Sequence, residues 1–276
     1  HGILFDKLEN YGIRGLALQL IKSYFENREQ AVNFNGTFSN FLSISRGTGQ
    51  GSRFGPSLFI ISLDDLKNLK LKGKSSRFVD DICCSPSNLQ NILDCIRHDC
   101  ELIEEYHRIN GMTLNKKKTK FMIVSKKSTQ LDQALISKFS SDTGIERLTE
   151  HTYLGCPIHE NFSINPRVIQ ITKRLNPIIG ILSKIKWNLP SDMLLKIYYA
   201  HVHSHLSSTP QILIAANHQD INALQILQNR ALKHVFKLNH RFPSLELYRD
   251  ITKRILPVKA IINFTTCVTI HKATLG

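Results

Sequence analysis

Hydrophobic positions in this chain follow two spacings, and the change from one to the other divides it. After Gly15, residues Leu16, Leu18, Leu20, Ile21 and Tyr24 predict a short amphipathic helix. Val32 and Phe34 then alternate with polar residues as far as Asn35-Gly36, and Phe38, Leu42 and Ile44 continue more loosely. Asn-Gly between such runs predicts a β-hairpin. Gly47-Thr48-Gly49-Gln50-Gly51-Ser52 reads as a flexible loop. Phe54 to Leu69 reads as a mostly apolar helix, with Pro56 acceptable in its first turn. Leu89, Ile92, Leu93, Ile96, Cys100, Ile103 and His107 mark one face of a further helix, opened by a capping box of Ser87 and Gln90 and closed at Gly111. Phe121-Met122-Ile123-Val124 and Tyr153-Leu154-Gly155-Cys156 predict buried strands.

Beyond Pro157 only helical spacing remains. Ile171, Leu175, Ile178, Leu182 and Ile185 form an apolar seam, with Pro177 placed to kink that helix. Leu194, Leu195, Ile197 and Tyr198 predict a second helix after Pro190. Ile221, Leu224, Leu227, Ala231 and Val235 predict a third. The expected fold class is α+β: a mixed part over residues 1–158, then an all-helical part over residues 159–276. No internal repeat or low-complexity tract is present.

Charge sharpens this picture. With 36 Lys+Arg against 22 Asp+Glu, the formal charge is +14, which points to a polyanionic partner, nucleic acid first and a membrane surface second. Lys116, Lys117, Lys118, Lys120, Lys126 and Lys127 cluster where no acid lies between Arg108 and Gln130. Residues 161–191 are also free of acids and carry Arg167, Lys173, Arg174, Lys184 and Lys186. These bases are candidates for phosphate contacts, which supply affinity without sequence information.

No apolar run approaches the ~20 residues of a membrane helix, and no signal peptide opens the chain. Cys83, Cys84, Cys95, Cys100, Cys156 and Cys267 contain no Cys-x-x-Cys pair, so they read as reduced thiols of an intracellular protein. Cys95, His98 and Cys100 share a segment but fit no common zinc spacing, and helix packing explains them better.

The most informative chemistry lies in Arg77-Phe78-Val79-Asp80-Asp81. Adjacent side chains on a strand face opposite ways, so two neighbouring carboxylates serve one site best at a tight turn. Hard cations such as Mg²⁺ take one or two carboxylates together with substrate phosphates.

Several segments now stand in one family's order. The chain resembles the reverse transcriptase of non-LTR (LINE-type) retrotransposons, especially the jockey-like group. The residues that carry the likeness are Lys7-Leu8-Glu9-Asn10-Tyr11-Gly12-Ile13, Tyr24-Phe25-Glu26-Asn27-Arg28-Glu29-Gln30, Gly49-Gln50-Gly51-Ser52 with Gly55-Pro56-Ser57-Leu58-Phe59, Phe78-Val79-Asp80-Asp81, Leu114-Asn115-Lys116-Lys117-Lys118-Thr119, Tyr153-Leu154-Gly155, and Leu224-Gln225-Ile226-Leu227-Gln228-Asn229-Arg230-Ala231. Each motif is modest alone; their order and spacing together are specific.

The resemblance implies a partial polymerase palm followed by a helical thumb and connector. It implies RNA-directed DNA polymerisation with an RNA template, a DNA primer and deoxynucleoside triphosphates, and action in cytoplasm and nucleus. Asp80 and Asp81 would be metal-binding catalytic carboxylates of a two-Mg²⁺ site. Gln50, Gly51 and Ser52 would border nucleotide and template, and Lys118 would lie near the triphosphate. Tyr153, Leu154 and Gly155 would hold the primer end in a hairpin. Lys116, Lys117, Lys173, Arg174 and Lys184 would contact nucleic acid.

Departures from the family pattern carry their own expectations. Gly49 stands for the usual Pro, Val79 for Ala and Gly2 for Asp. The chain opens at His1 just past the family's first catalytic Asp, so it is expected to be an incomplete, inactive fragment with a metal site short of one ligand. A non-catalytic nucleic-acid-binding remnant is the alternative. An unrelated metal-dependent phosphohydrolase would need further ligands that the sequence does not offer.

Overall fold

The computed structural model describes residues 1–49, 51–86, 92–124, 133–249 and 255–275. They fall into two compact units, residues 1–119 with 137–145, and residues 120–136 with 146–276. Helices alternate with small two-stranded sheets, an α+β architecture.

The first unit begins with α1 (Gly2–Asn10) and α2 (Gly15–Phe25). Two short ladders follow: β1 (Glu29–Gln30) pairs with β4 (Leu42–Ser43), and β2 (Asn33–Phe34) with β3 (Thr37–Phe38). Asn35 and Gly36 form the expected turn, both with positive φ (50° and 83°), as a type I′ hairpin requires. Leu4, Leu8, Leu18 and Phe25 pack with Leu58 of α3 (Phe54–Leu63). The face of α2 is narrower than its pattern suggests, because Leu16 is 85% and Leu20 69% exposed.

The helix expected as far as Leu69 stops at Leu63 and tightens to a 3₁₀ turn over Asp64–Asn68. Lys7 supplies the reason. Its Nζ donates to the Ser62 carbonyl at 2.6 Å, competing for an acceptor that a continuing α-helix would use, and to Asp65 Oδ1 at 2.8 Å. Next come β5 (Gly73–Phe78), β6 (Asp81–Pro86), α4 (Ile92–Ile109) and α5 (Gln133–Thr143). The capping box at Ser87 and Gln90, and Leu89, lie outside the described residues. Gly111 ends α4 with φ 69°. The buried face of α4 is Cys95, Asp99, Ile103 and Tyr106, rotated from the expected one.

In the second unit, β7 (Lys120–Phe121) pairs in parallel with β8 (Glu146–Arg147). The strand expected to reach Val124 is thus only two residues long: Phe121 is buried and Val124 is exposed. β9 (Glu150–Tyr153) and β10 (Cys156–His159) form an antiparallel hairpin, so Leu154-Gly155 is a turn rather than strand interior. The remainder is helical: α6 (Asn165–Ile185), α7 (Ser191–Tyr198), α8 (Ser204–Ser207), α9 (Pro210–Leu213), α10 (His218–Val235) and α11 (Val258–Leu275). A π-helical segment over Tyr199–His203 joins α7 to α8. Asn217 caps α10 by accepting the Asp220 N–H at 2.8 Å.

Ile171, Leu175, Ile179 and Leu182 of α6 meet Leu194, Tyr198, Leu224, Ala231, Val235 and Ile261 in one core. Several polar groups inside it are paired with one another. Gln228 is fully buried and donates to Tyr198 Oη and to the Leu256 carbonyl, each at 2.8 Å. Gln225 Oε1 accepts the Val258 N–H at 2.9 Å, and Tyr248 Oη donates to Asn229 Oδ1 at 2.6 Å. The Leu224–Ala231 motif is therefore a structural element: its amides pin α7, α10 and the entry to α11 together.

Candidate nucleotide and nucleic-acid site

Asp80 and Asp81 lie at the tip of the β5–β6 hairpin. Pairing runs from Gly73 opposite Pro86 to Phe78 opposite Asp81, which leaves Val79-Asp80 as a two-residue turn. Val79 has φ 57°, a left-handed conformation that costs a β-branched residue about 1–3 kcal/mol. Both carboxylates are exposed, and among the described residues neither takes a hydrogen bond or an ion pair. The two acids the sequence singled out are thus together, at a strained turn, with their oxygens uncommitted.

The hairpin is clamped away from its tip. Asp99 of α4, 3% exposed, accepts the backbone N–H groups of Lys72 (2.8 Å) and Gly73 (2.9 Å). Gly73 has to be glycine, because a Cβ there would stand 2.6 Å from the Ser85 carbonyl oxygen. Arg77 Nη1 donates to the Leu63 carbonyl at 2.9 Å, tying β5 to the C-terminal end of α3. Burial pushes the neighbouring Cys84 thiol up to about 11, so it is an inert packing group.

Gly51 and Ser52 sit at the opposite end of α3; Gln50 lies outside the described residues. Ser52 Oγ donates to the Gly49 carbonyl at 3.0 Å and accepts the Gly55 N–H at 2.9 Å, which caps α3. A Cβ on Gly49 would stand 2.4 Å from Tyr24 Oη, so a larger residue there would have to move the Tyr24 side chain. Gly51 (φ 82°) has open space around it. Lys118 belongs to a turn organised by Asn115, whose Oδ1 accepts the Lys118 N–H at 3.2 Å while its carbonyl accepts Thr119 Oγ1–H at 3.0 Å. This explains why Asn and Thr bracket the lysines. Lys117 and Lys118 are exposed, whereas Lys116 pairs with Glu104 (2.8 Å) and Lys120 with Glu146 (2.5 Å). Lys126 and Lys127 lie outside the described residues. Among the described residues, no hydrogen bond or ion pair joins Gly51, Ser52 or Lys118 to Asp80 or Asp81.

In the second unit, Leu154 (φ 48°) and Gly155 (φ 77°) form the β9–β10 turn. The Tyr153 hydroxyl is buried and has no hydrogen-bond partner among the described residues. Gln170 Nε2 donates to the Gly155 carbonyl at 3.2 Å, linking α6 to the turn. Gln170 Oε1 in turn accepts from Arg167. Arg167, expected among the phosphate-contacting bases, is instead 3% exposed and donates to Thr209 Oγ1 (2.9 Å) and Ser208 Oγ (2.8 Å). Burial holds its guanidinium below the ordinary arginine value. Lys173, Arg174 and Lys184 are exposed on α6.

Asp99 and the Arg167–Gln170 pair escape a sequence reading. For Asp99 a signal existed: it is an acid at the centre of the Cys95–Ile103–Tyr106 stripe, a place that requires specific partners.

Comparison with known proteins gives the family. The family described as reverse transcriptase (RNA-dependent DNA polymerase) matches residues 1–158. The chain belongs to the reverse transcriptase family. It is also similar, at 24% identity over 243 residues, to a protein of Drosophila melanogaster named probable RNA-directed DNA polymerase from transposon X-element. That match covers 84% of this chain and 26% of the relative, so the chain spans about a quarter of the relative's length. The Asp80-Asp81 hairpin, the Gly51-Ser52 loop and the Lys118 turn all fall inside the reverse transcriptase match. No described helix is long and apolar enough to cross a membrane.

Proposed function

We propose that this chain forms palm (residues 1–158) and thumb with connector (residues 159–276) of the RNA-directed DNA polymerase of a non-LTR, jockey-like retrotransposon. It would join deoxynucleotides to a primer 3′ end along an RNA template. The observation that carries the reading is the Asp80-Asp81 pair: two uncommitted carboxylates at a strained hairpin tip, inside a reverse transcriptase match.

Two adjacent hard oxygen donors fit Mg²⁺, which is commonly held by one or two carboxylates plus substrate phosphates. Bound there, Mg²⁺ would offset the negative charge that builds up on the phosphoryl oxygens. Among the described residues, no group of three or more His, Cys, Asp or Glu is assembled, so the pair is two carboxylates of such a site and no more.

Other residues bind and orient. Gly51, unhindered and left-handed, lets backbone approach the nucleotide beside Gln50, and Ser52 shapes that loop through its two hydrogen bonds. Lys118 neutralises triphosphate charge. Tyr153, Leu154 and Gly155 hold the primer end, and Lys116, Lys117, Lys173, Arg174 and Lys184 contact phosphates.

The test uses Mn²⁺ as a paramagnetic substitute. Amide signals of residues 78–82 should broaden first, and Asp80→Asn and Asp81→Asn should each weaken Mn²⁺ binding about tenfold or more. Mn²⁺ that binds the double variant as well as the parent would sink the assignment.

A further inference from the structure

Trp187 is the chain's single tryptophan, and it lies in the turn that follows α6. It is 68% exposed, an uncommon state for the largest apolar side chain. Its surroundings are cationic. Lys186 Nζ stands over the ring, 5.1 Å from its centroid. Lys184 is exposed one turn back, and Ile181, a further turn back, is 56% exposed. Residues 161–191 contain no acid to offset these charges.

Helix α10 packs against α6. His234 Nδ1 is buried without a hydrogen-bond partner among the described residues. Burial first, then Lys186 and Arg230, hold the His234 imidazole below its ordinary value.

We infer that Trp187 is a stacking site for an unpaired nucleobase, with Lys184 and Lys186 holding the flanking phosphates. The inference rests on the nucleic-acid reading above and names a contact that reading does not contain. An exposed indole gains from a flat π-surface, and a cationic rim gains from repeated negative charge. A nucleic-acid strand offers both at once, because every base has a π-face beside a phosphate. A peptide partner would leave the cations unmatched unless it were strongly acidic. An anionic membrane surface would also match the cations and take the indole at its interface, so vesicles form a separate arm of the test.

Because Trp187 is the chain's only tryptophan, its emission reports this site alone. The emission is followed while three probes are added: a single-stranded RNA, a strand of equal length and charge with abasic sugars, and vesicles of anionic phospholipid. The RNA should quench the emission and the abasic strand should leave it nearly unchanged. Trp187→Ala should weaken RNA binding about 5- to 150-fold, Trp187→Leu similarly, and Trp187→Phe much less. Equal quenching by the abasic strand, a shift with vesicles alone, or full RNA affinity in Trp187→Ala would overturn the stacking site. RNA bound tightly with unchanged emission overturns only this inference; RNA that does not bind the parent chain overturns the polymerase reading as well.

Discussion

Asp99→Ala should loosen the hairpin that carries Asp80 and Asp81 without touching either acid. Asp99 is 3% exposed, and its two oxygens accept the N–H groups of Lys72 and Gly73. Removing the carboxylate leaves both donors without a partner. An orphaned buried donor costs about 1–3 kcal/mol. Lys72 is exposed and its N–H regains water, so the sum is about 2–4 kcal/mol rather than the maximum. Asp99→Asn keeps one acceptor oxygen and should cost about half as much. Hydrogen exchange reads the effect locally: protection of the β5–β6 ladder amides should fall about 30- to 1,000-fold in Asp99→Ala, with α10 amides unchanged. Gly73→Ala should act in the same direction, because its Cβ meets the Ser85 oxygen. Ladder protection within threefold of the parent in Asp99→Ala would refute the clamp.

Tyr153→Phe should leave stability equal to the parent's or raise it by up to about 1–3 kcal/mol, because the hydroxyl it removes is buried with no partner among the described residues; chemical denaturation measures this, and a loss above about 1 kcal/mol would contradict it. The logarithm of the affinity for RNA–DNA duplex should fall linearly with log salt, and Lys173→Ala, Arg174→Ala and Lys184→Ala together should reduce that slope by about 2 to 3; an unchanged slope would make these bases a solvated face. Burial holds His203, His205 and His234 below the ordinary imidazole value, so the unfolded chain takes up protons first as pH falls below about 6.5. The stability of the helical unit should therefore be full above that pH and decline below it; a urea midpoint equal at pH 8 and pH 5.5 would contradict this.

Local rules made much of the fold legible. Asn35-Gly36 has only one comfortable turn geometry, and it is the one observed. Long periodic helices such as α6 and α10 announce themselves because their seams repeat for five turns or so. What sequence missed is what distant residues decide. Lys7 ends α3 early from 55 positions away. Arg167 sits in an acid-free stretch like its neighbours, yet hydroxyls 41 and 42 residues further on draw it into the interior. Phe121 to Val124 is apolar enough for a strand, but β8 offers only Glu146 and Arg147 as ladder partners. At the candidate site, the pairing of Asp80 with Asp81 was readable from adjacency alone. The left-handed Val79 was not, because it follows from the two-residue turn that the ladder register imposes; the role of Asp99 was only hinted at by an acid in an apolar stripe, because its partners Lys72 and Gly73 lie 27 and 26 residues away.

RNA-templated primer extension in the full-length polypeptide that carries these residues tests the central claim most directly. Asp80→Asn should lower the rate of nucleotide addition about 10³-fold or more, since several kcal/mol of charge stabilisation is removed, while primer–template affinity stays within about threefold. Asp80→Asn that extends primers at the parental rate would show that the hairpin is not the catalytic turn.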